Sequence, residues 1–131
     1  MNYNIIATGS KGNAVVIEDK ILIDCGVSFK KIKDYCSKLH LVLLTHIHGD
    51  HLNKTTIKRL AHERPGLRFG CCEWLVSELV SCGVNKSNID VYEIDKTFDY
   101  GAFQVSPVCL HHDVENCGYR LFIGDRKGIY I

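Results

Sequence analysis

The chain reads as an α/β fold, a mixed sheet carrying helices on one face. Three observations point to it. Short apolar runs alternate with longer amphipathic ones through the first part of the chain. The run Leu41-Val42-Leu43-Leu44 is apolar without alternation, as a strand covered on both faces requires. From Ile89 onward the pattern is all strand.

Taken in order, Asn4 to Ala7, Asn13 to Glu18 and Lys20 to Ile23 read as strands joined by turns at Thr8 to Asn13 and Glu18-Asp19-Lys20. Ser28 is positioned to cap an amphipathic helix in which Phe29, Ile32, Cys36 and Leu39 share one face. The buried strand Leu41 to Leu44 follows. Thr55 to Glu63 has Ile57, Leu60 and Ala61 on one side and ends before Pro65-Gly66, so it reads as a second helix. Leu67 to Cys71 is a short strand. Cys72 to Cys82 carries Trp74, Leu75, Leu79, Val80 and Cys82 on a broad apolar face, and Gly83 suits a left-handed helix end. Five strands close the chain: Ile89 to Ile94, Thr97 to Asp99, Ala102 to Leu110, Tyr119 to Ile123 and Gly128 to Ile131. Tyr100-Gly101 and Gly124-Asp125-Arg126 mark hairpin turns.

At 131 residues, 46% apolar and 24% charged, the chain fits one domain over residues 1–131. Sixteen basic and fifteen acidic side chains nearly cancel, so overall charge announces neither a nucleic acid nor an anionic membrane. No segment approaches the roughly 20 apolar residues that cross a bilayer, and the N-terminus lacks a signal-peptide pattern. The expected location is cytoplasmic. Seven cysteines at irregular spacing read as reduced, buried thiols rather than a disulfide framework, and Cys71-Cys72 lacks the spacing of a metal pair.

The segment Thr-His-Ile-His-Gly-Asp-His, Thr45 to His51, directly follows the buried strand. Three imidazoles and a carboxylate at the end of such a strand point to a metal site, because α/β folds build their sites there. His46 and His48, two apart on an extended segment, point the same way and can grip one ion, with Ile47 turned to the core. Gly49 permits a sharp turn that re-aims Asp50 and His51 toward a second ion. Zinc accepts such nitrogen and oxygen ligands at about 2.0–2.3 Å; manganese and iron are alternatives.

The pattern T-H-x-H-x-D-H resembles the signature of the metallo-β-lactamase superfamily. Gly9-Ser10-Lys11-Gly12-Asn13 resembles the G-S-x-G-N turn of its nuclease-like branch, and Leu22-Ile23-Asp24-Cys25-Gly26 resembles its L-I-D-x-G element. His112 to Tyr119 resembles its H-D-x-x-x-x-G-Y stretch. The resemblance implies the N-terminal half of the metallo-β-lactamase αββα sandwich, an incomplete domain that stops before the family's bridging aspartate and last histidine. It further implies that His46, His48 and His112 hold one ion, and that Asp50 and His51 contribute to a second. Asp50 would also steer a nucleophilic water, and Asp24 would orient a ligand from behind, with capping of the following turn as its alternative role. His111 could reach the metal if the strand slipped by one residue; the motif favours His112. His40 and His62 lie outside every motif.

The implied activity is that of a metal-dependent hydrolase in which zinc-activated water attacks a phosphodiester or related ester. The substrate would be a nucleic acid or a small phosphodiester. The alternative is a non-catalytic, truncated metal-binding half-domain that needs a partner or the missing half. A missing sister sheet would leave an apolar face bare at a cost of about 25 cal/mol per Å², so self-association or partner docking through that uncovered face is expected.

Overall fold

A computed structural model describes residues 2–109 and 116–130. Two sheets stack face to face, with the helices against the outer face of the first. The first sheet has six strands in sequential order: β1 (Tyr3–Ala7), β2 (Ala14–Ile17), β3 (Ile21–Ile23), β4 (Leu41–Leu43), β5 (Arg68–Cys72) and β6 (Ile89–Tyr92). The first two pairings are antiparallel and the remaining three parallel. The parallel pairs need crossovers, which α1 (Phe29–Ile32), α2 (Lys54–Glu63) and α3 (Val76–Ser81) supply.

Alternation along each strand assigns its side chains to two cores. Val16, Leu22, Val42, Leu44, Phe69 and Cys71 pack with helical Ile32, Ile57, Leu60 and Leu79. Ile17, Ile21, Ile23, Leu41, Leu43, Cys72 and Tyr92 face the other way, onto Phe103, Val105, Cys117, Tyr119 and Leu121. Those partners belong to a second, antiparallel sheet of β7 (Phe98–Asp99), β8 (Phe103–Cys109), β9 (Cys117–Ile123) and β10 (Arg126–Tyr130), in the order β10-β9-β8-β7. β4 is thus buried on both faces, as its unbroken apolar run requires.

The second sheet corrects one expectation. The face of the first sheet expected to lie bare is covered from within the chain, because the late strands pair among themselves and fold back over it. The surface without a described helix layer is the outer face of the second sheet, where Gln104, Val108, Arg120 and Phe122 are half-buried.

Two expected helices are also shorter. The run after Ser28 breaks into α1 and a 3₁₀ turn at Cys36–Lys38, and Ser28 makes no side-chain cap bond. The run after Cys72 divides into a 3₁₀ turn, Glu73–Leu75, and α3; Val80, expected on the apolar face, is 45% exposed. Gly83 does take the left-handed conformation, at φ +95°. α2 matches its pattern, and Asn53 caps it by accepting from the Thr56 amide at 3.1 Å. Among the described residues no helix is long and apolar enough to cross a membrane.

Candidate metal centre

β4 ends at Leu43, and the chain delivers buried Thr45 and His46 before bending. The amides of His51 and Leu52 both donate to the His48 carbonyl at 2.9 Å, closing residues 48–52 into a turn. The loop after β3 then clamps that turn: Cys25 donates to the His51 carbonyl at 2.8 Å, and Asn53 donates back to Cys25 at 2.6 Å. Gly26 makes the clamp feasible. A Cβ there would stand 1.9 Å from the Asp50 carbonyl oxygen and 2.8 Å from the His51 amide nitrogen. From the second sheet, the Cys117 amide donates to the Thr45 carbonyl at 3.2 Å and the Tyr119 hydroxyl to the Leu44 carbonyl.

Asp24 organises the side chains. Its carboxylate, buried and at φ +61°, accepts from the Thr45 amide at 2.9 Å, the Thr45 hydroxyl at 2.9–3.0 Å and His51 Nδ1 at 2.6 Å. A carboxylate brings no hydrogen, so His51 Nδ1 carries it. The Thr45 hydroxyl spends its one hydrogen on Asp24 and therefore accepts from His46 Nδ1, 2.9 Å away. Both imidazoles are left with an Nε2 lone pair. The ligand-capable atoms of His46, Asp50 and His51 lie within 4.8 Å of one another, and His51 Nε2 stands 3.4 Å from Asp50 Oδ2.

Burial, and next the neighbouring His51 ring, hold the His46 imidazole below its ordinary range. Both effects favour the neutral form, the state in which an imidazole ligates a cation. Two imidazole nitrogens and one carboxylate suit zinc or another borderline divalent ion. The donor set fits a metal.

The sequence-predicted residues fall into three groups. His46, Asp50, His51 and Asp24 converge. His48 is exposed, with its ring 5.1 Å from that of His46 and outside the convergent group of described residues. His111 and His112 lie outside the described residues. Two local expectations change. Ile47 is 46% exposed instead of turned to the core, because the extended strand has ended before it. Gly49 has no positive φ, and a Cβ added to it would meet no atom within 4 Å, so the glycine the loop needs is Gly26. Sequence reasoning assigned no role to Thr45, Gly26 or Asn13, although all three sit inside the motifs. Cys25, Cys36, Cys71, Cys72, Cys82 and Cys117 are buried thiols, as their irregular spacing predicts.

The profile of the Beta-lactamase superfamily domain matches residues 19–131, and the chain belongs to that family. Among solved structures it is similar to the metallo-beta-lactamase fold protein YhfI from Bacillus subtilis, with TM-score 0.74 and 19% identity, over 97% of this chain and 59% of that one. Human tRNase Z, short form, gives TM-score 0.74 and 17% identity over 97% of this chain and 66% of its own. The flavodiiron protein from Giardia intestinalis gives 0.63 and 18% over 84% of this chain and 30% of its own. At such identities the likeness is one of fold, and the chain spans less than two thirds of each relative. No curated protein matches the sequence.

Proposed function

We propose that the chain carries the metal-binding half of a metal-dependent hydrolase acting on phosphodiesters. The convergence of His46, Asp50 and His51, with both Nδ1 atoms committed to Thr45 and Asp24, carries this reading. Zinc, or in its place manganese or iron, supplies a Lewis acid that activates water and polarises the scissile phosphoryl group. The chain's residues do the rest. His46 and His51 offer fixed donors; His46 with His48 and His112 makes the three-histidine set that the family signature implies, and Asp50 with His51 contributes to a second site. Asp50, 30% exposed at its side chain, can accept a hydrogen from an attacking water. The fold likeness to a protein named tRNase Z and the G-S-x-G-N turn support a phosphodiester, within a nucleic acid or a small molecule.

The second reading is a non-catalytic metal-binding half-domain that requires a partner. Metal analysis together with turnover of bis(p-nitrophenyl) phosphate separates them. Two ions per chain with turnover support the hydrolase. One ion without turnover supports the half-domain. Unchanged zinc affinity in His112→Ala would remove His112 from the ligand set.

A further inference from the structure

The turn from Gly9 to Asn13 lies far from the histidine segment in sequence, yet its last side chain ends inside the centre. Asn13 Nδ2 has four acceptors in reach: the Gly9 carbonyl at 2.9 Å, the Asp50 carbonyl at 3.0 Å, His51 Nε2 at 3.2 Å and Asp50 Oδ2 at 3.4 Å. Its Oδ1 accepts from the Gly9 amide at 3.1 Å. The amide plane is therefore held against both polar groups of Gly9. The backbone of Asn13 is fastened as well, since the Gly26 amide donates to its carbonyl at 2.9 Å. Gly12 permits this approach: at φ +154°, a Cβ there would stand 2.5 Å from the Gly26 carbonyl oxygen.

Four acceptors meet two hydrogens. Two of the four are backbone carbonyls; the other two are the atoms of Asp50 and His51 that would ligate a cation. We propose that Asn13 is a positioning residue for the cation held by His46, Asp50 and His51. Before the cation arrives each of its two hydrogens is shared between a backbone carbonyl and one of these ligand atoms, which keeps Asp50 Oδ2 and His51 Nε2 together. It then releases them while retaining its bonds to the Gly9 and Asp50 backbone. No donor is stranded in either state, because the number of hydrogens equals the number of backbone acceptors. Oδ1, engaged by Gly9, is not a ligand. The gain is preorganisation: two lone-pair-bearing groups that would otherwise repel are held at ligand spacing by a neutral donor between them. This inference rests on reading the cluster as a cation site.

Zinc competition against a chromophoric chelator, run on the wild-type protein, Asn13→Ala and Asn13→Asp, tests it alongside cobalt absorption spectra. Asn13→Ala should bind zinc about ten- to a hundredfold more weakly while its cobalt bands keep the wild-type position, since the ligands themselves are unchanged. Asn13→Asp retains an acceptor for the Gly9 amide but sets a second carboxylate beside Asp50. Its metal-free form should melt below the wild type, and zinc should narrow that gap. If the wild type binds zinc and both variants match its affinity, or if the cobalt bands shift in Asn13→Ala, the positioning role is overturned and the centre stands. If the wild type binds neither zinc nor cobalt, the centre itself is overturned, and the role of Asn13 with it.

Discussion

Asp24 Oδ2 and His51 Nδ1 stand 2.6 Å apart, and this contact decides which nitrogen of His51 is free. With Nδ1 donating to the carboxylate, Nε2 faces Asp50. Replacing Asp24 by Asn tolerates the left-handed backbone at φ +61° and preserves an acceptor for Thr45. It also allows the amide to donate to His51 Nδ1, which favours the tautomer whose Nε2 carries the hydrogen. Asp24→Asn should fold, lose about 1–3 kcal/mol of metal-free stability, and bind zinc about ten- to a hundredfold more weakly. Urea denaturation and chelator competition measure the two effects.

Gly26 and Gly49 make opposite predictions. A Cβ on Gly26 has no space against the Asp50–His51 peptide, whereas one on Gly49 meets nothing within 4 Å. Gly26→Ala should cost about 1–3 kcal/mol from overpacking and weaken zinc binding by displacing both ligands. Gly49→Ala should alter neither by much. Equal behaviour of the two variants in thermal melts would contradict the clamp.

At the opposite end of β4 lies a second polar network. Arg68 contacts buried Asp90 through Nε at 3.2 Å and through a second guanidinium nitrogen at 2.5 Å, and the Tyr100 hydroxyl donates to the same carboxylate at 2.7 Å. Asp90→Ala removes the acceptor that Arg68 and Tyr100 share, leaving Arg68 the Ser87 carbonyl and Tyr100 the Tyr92 hydroxyl; breaking such a pair costs about 3 kcal/mol, less here because Arg68 is 37% exposed at its side chain. Tyr100→Phe should cost about 1 kcal/mol. Zinc affinity should be unchanged in both, which separates this network from the centre.

The buried thiols give a pH prediction. Burial, and secondarily Cys117, pushes the Cys71 thiol from 9.0 up to about 12. At pH 8 its thiolate fraction is about one part in ten thousand, so brief iodoacetamide treatment of the native protein should leave Cys71 unmodified by peptide mapping. The folded state holds this proton more tightly than the unfolded state. Its contribution to stability is therefore complete below pH 9 and is lost as the pH rises toward 12. Stability increasing over that range would contradict the burial of Cys71.

Much of the fold was legible because it rests on local pattern. The unbroken apolar run at Leu41 announced a doubly covered strand, and Thr55 to Glu63 carried helical periodicity and a proline stop, though not the Asn53 cap. The second layer was not legible. Alternation in Val105, Tyr119 and Leu121 specifies an inward face but not the sheet it packs on. At the candidate centre, residue chemistry singled out His46, Asp50 and His51 and the family resemblance singled out Asp24, and the structure brings the four together. Asn13 and Gly26 stood inside the motifs without a role, because their contribution lies in contacts with residues tens of positions away, which no local spacing encodes.

The clamp on the histidine turn has a kinetic consequence. β9 and β10 are joined through Gly124 and Asp125 and pair in adjacent register, so that hairpin can close on a microsecond scale. The turn at residues 48–52 is fastened by the Gly9–Asn13 turn and by the loop after β3, both distant in sequence. Long-range closures of this kind are slow to form. Refolding should therefore build the hairpin early and the binding loop late, so added zinc should slow unfolding while leaving the refolding rate nearly unchanged.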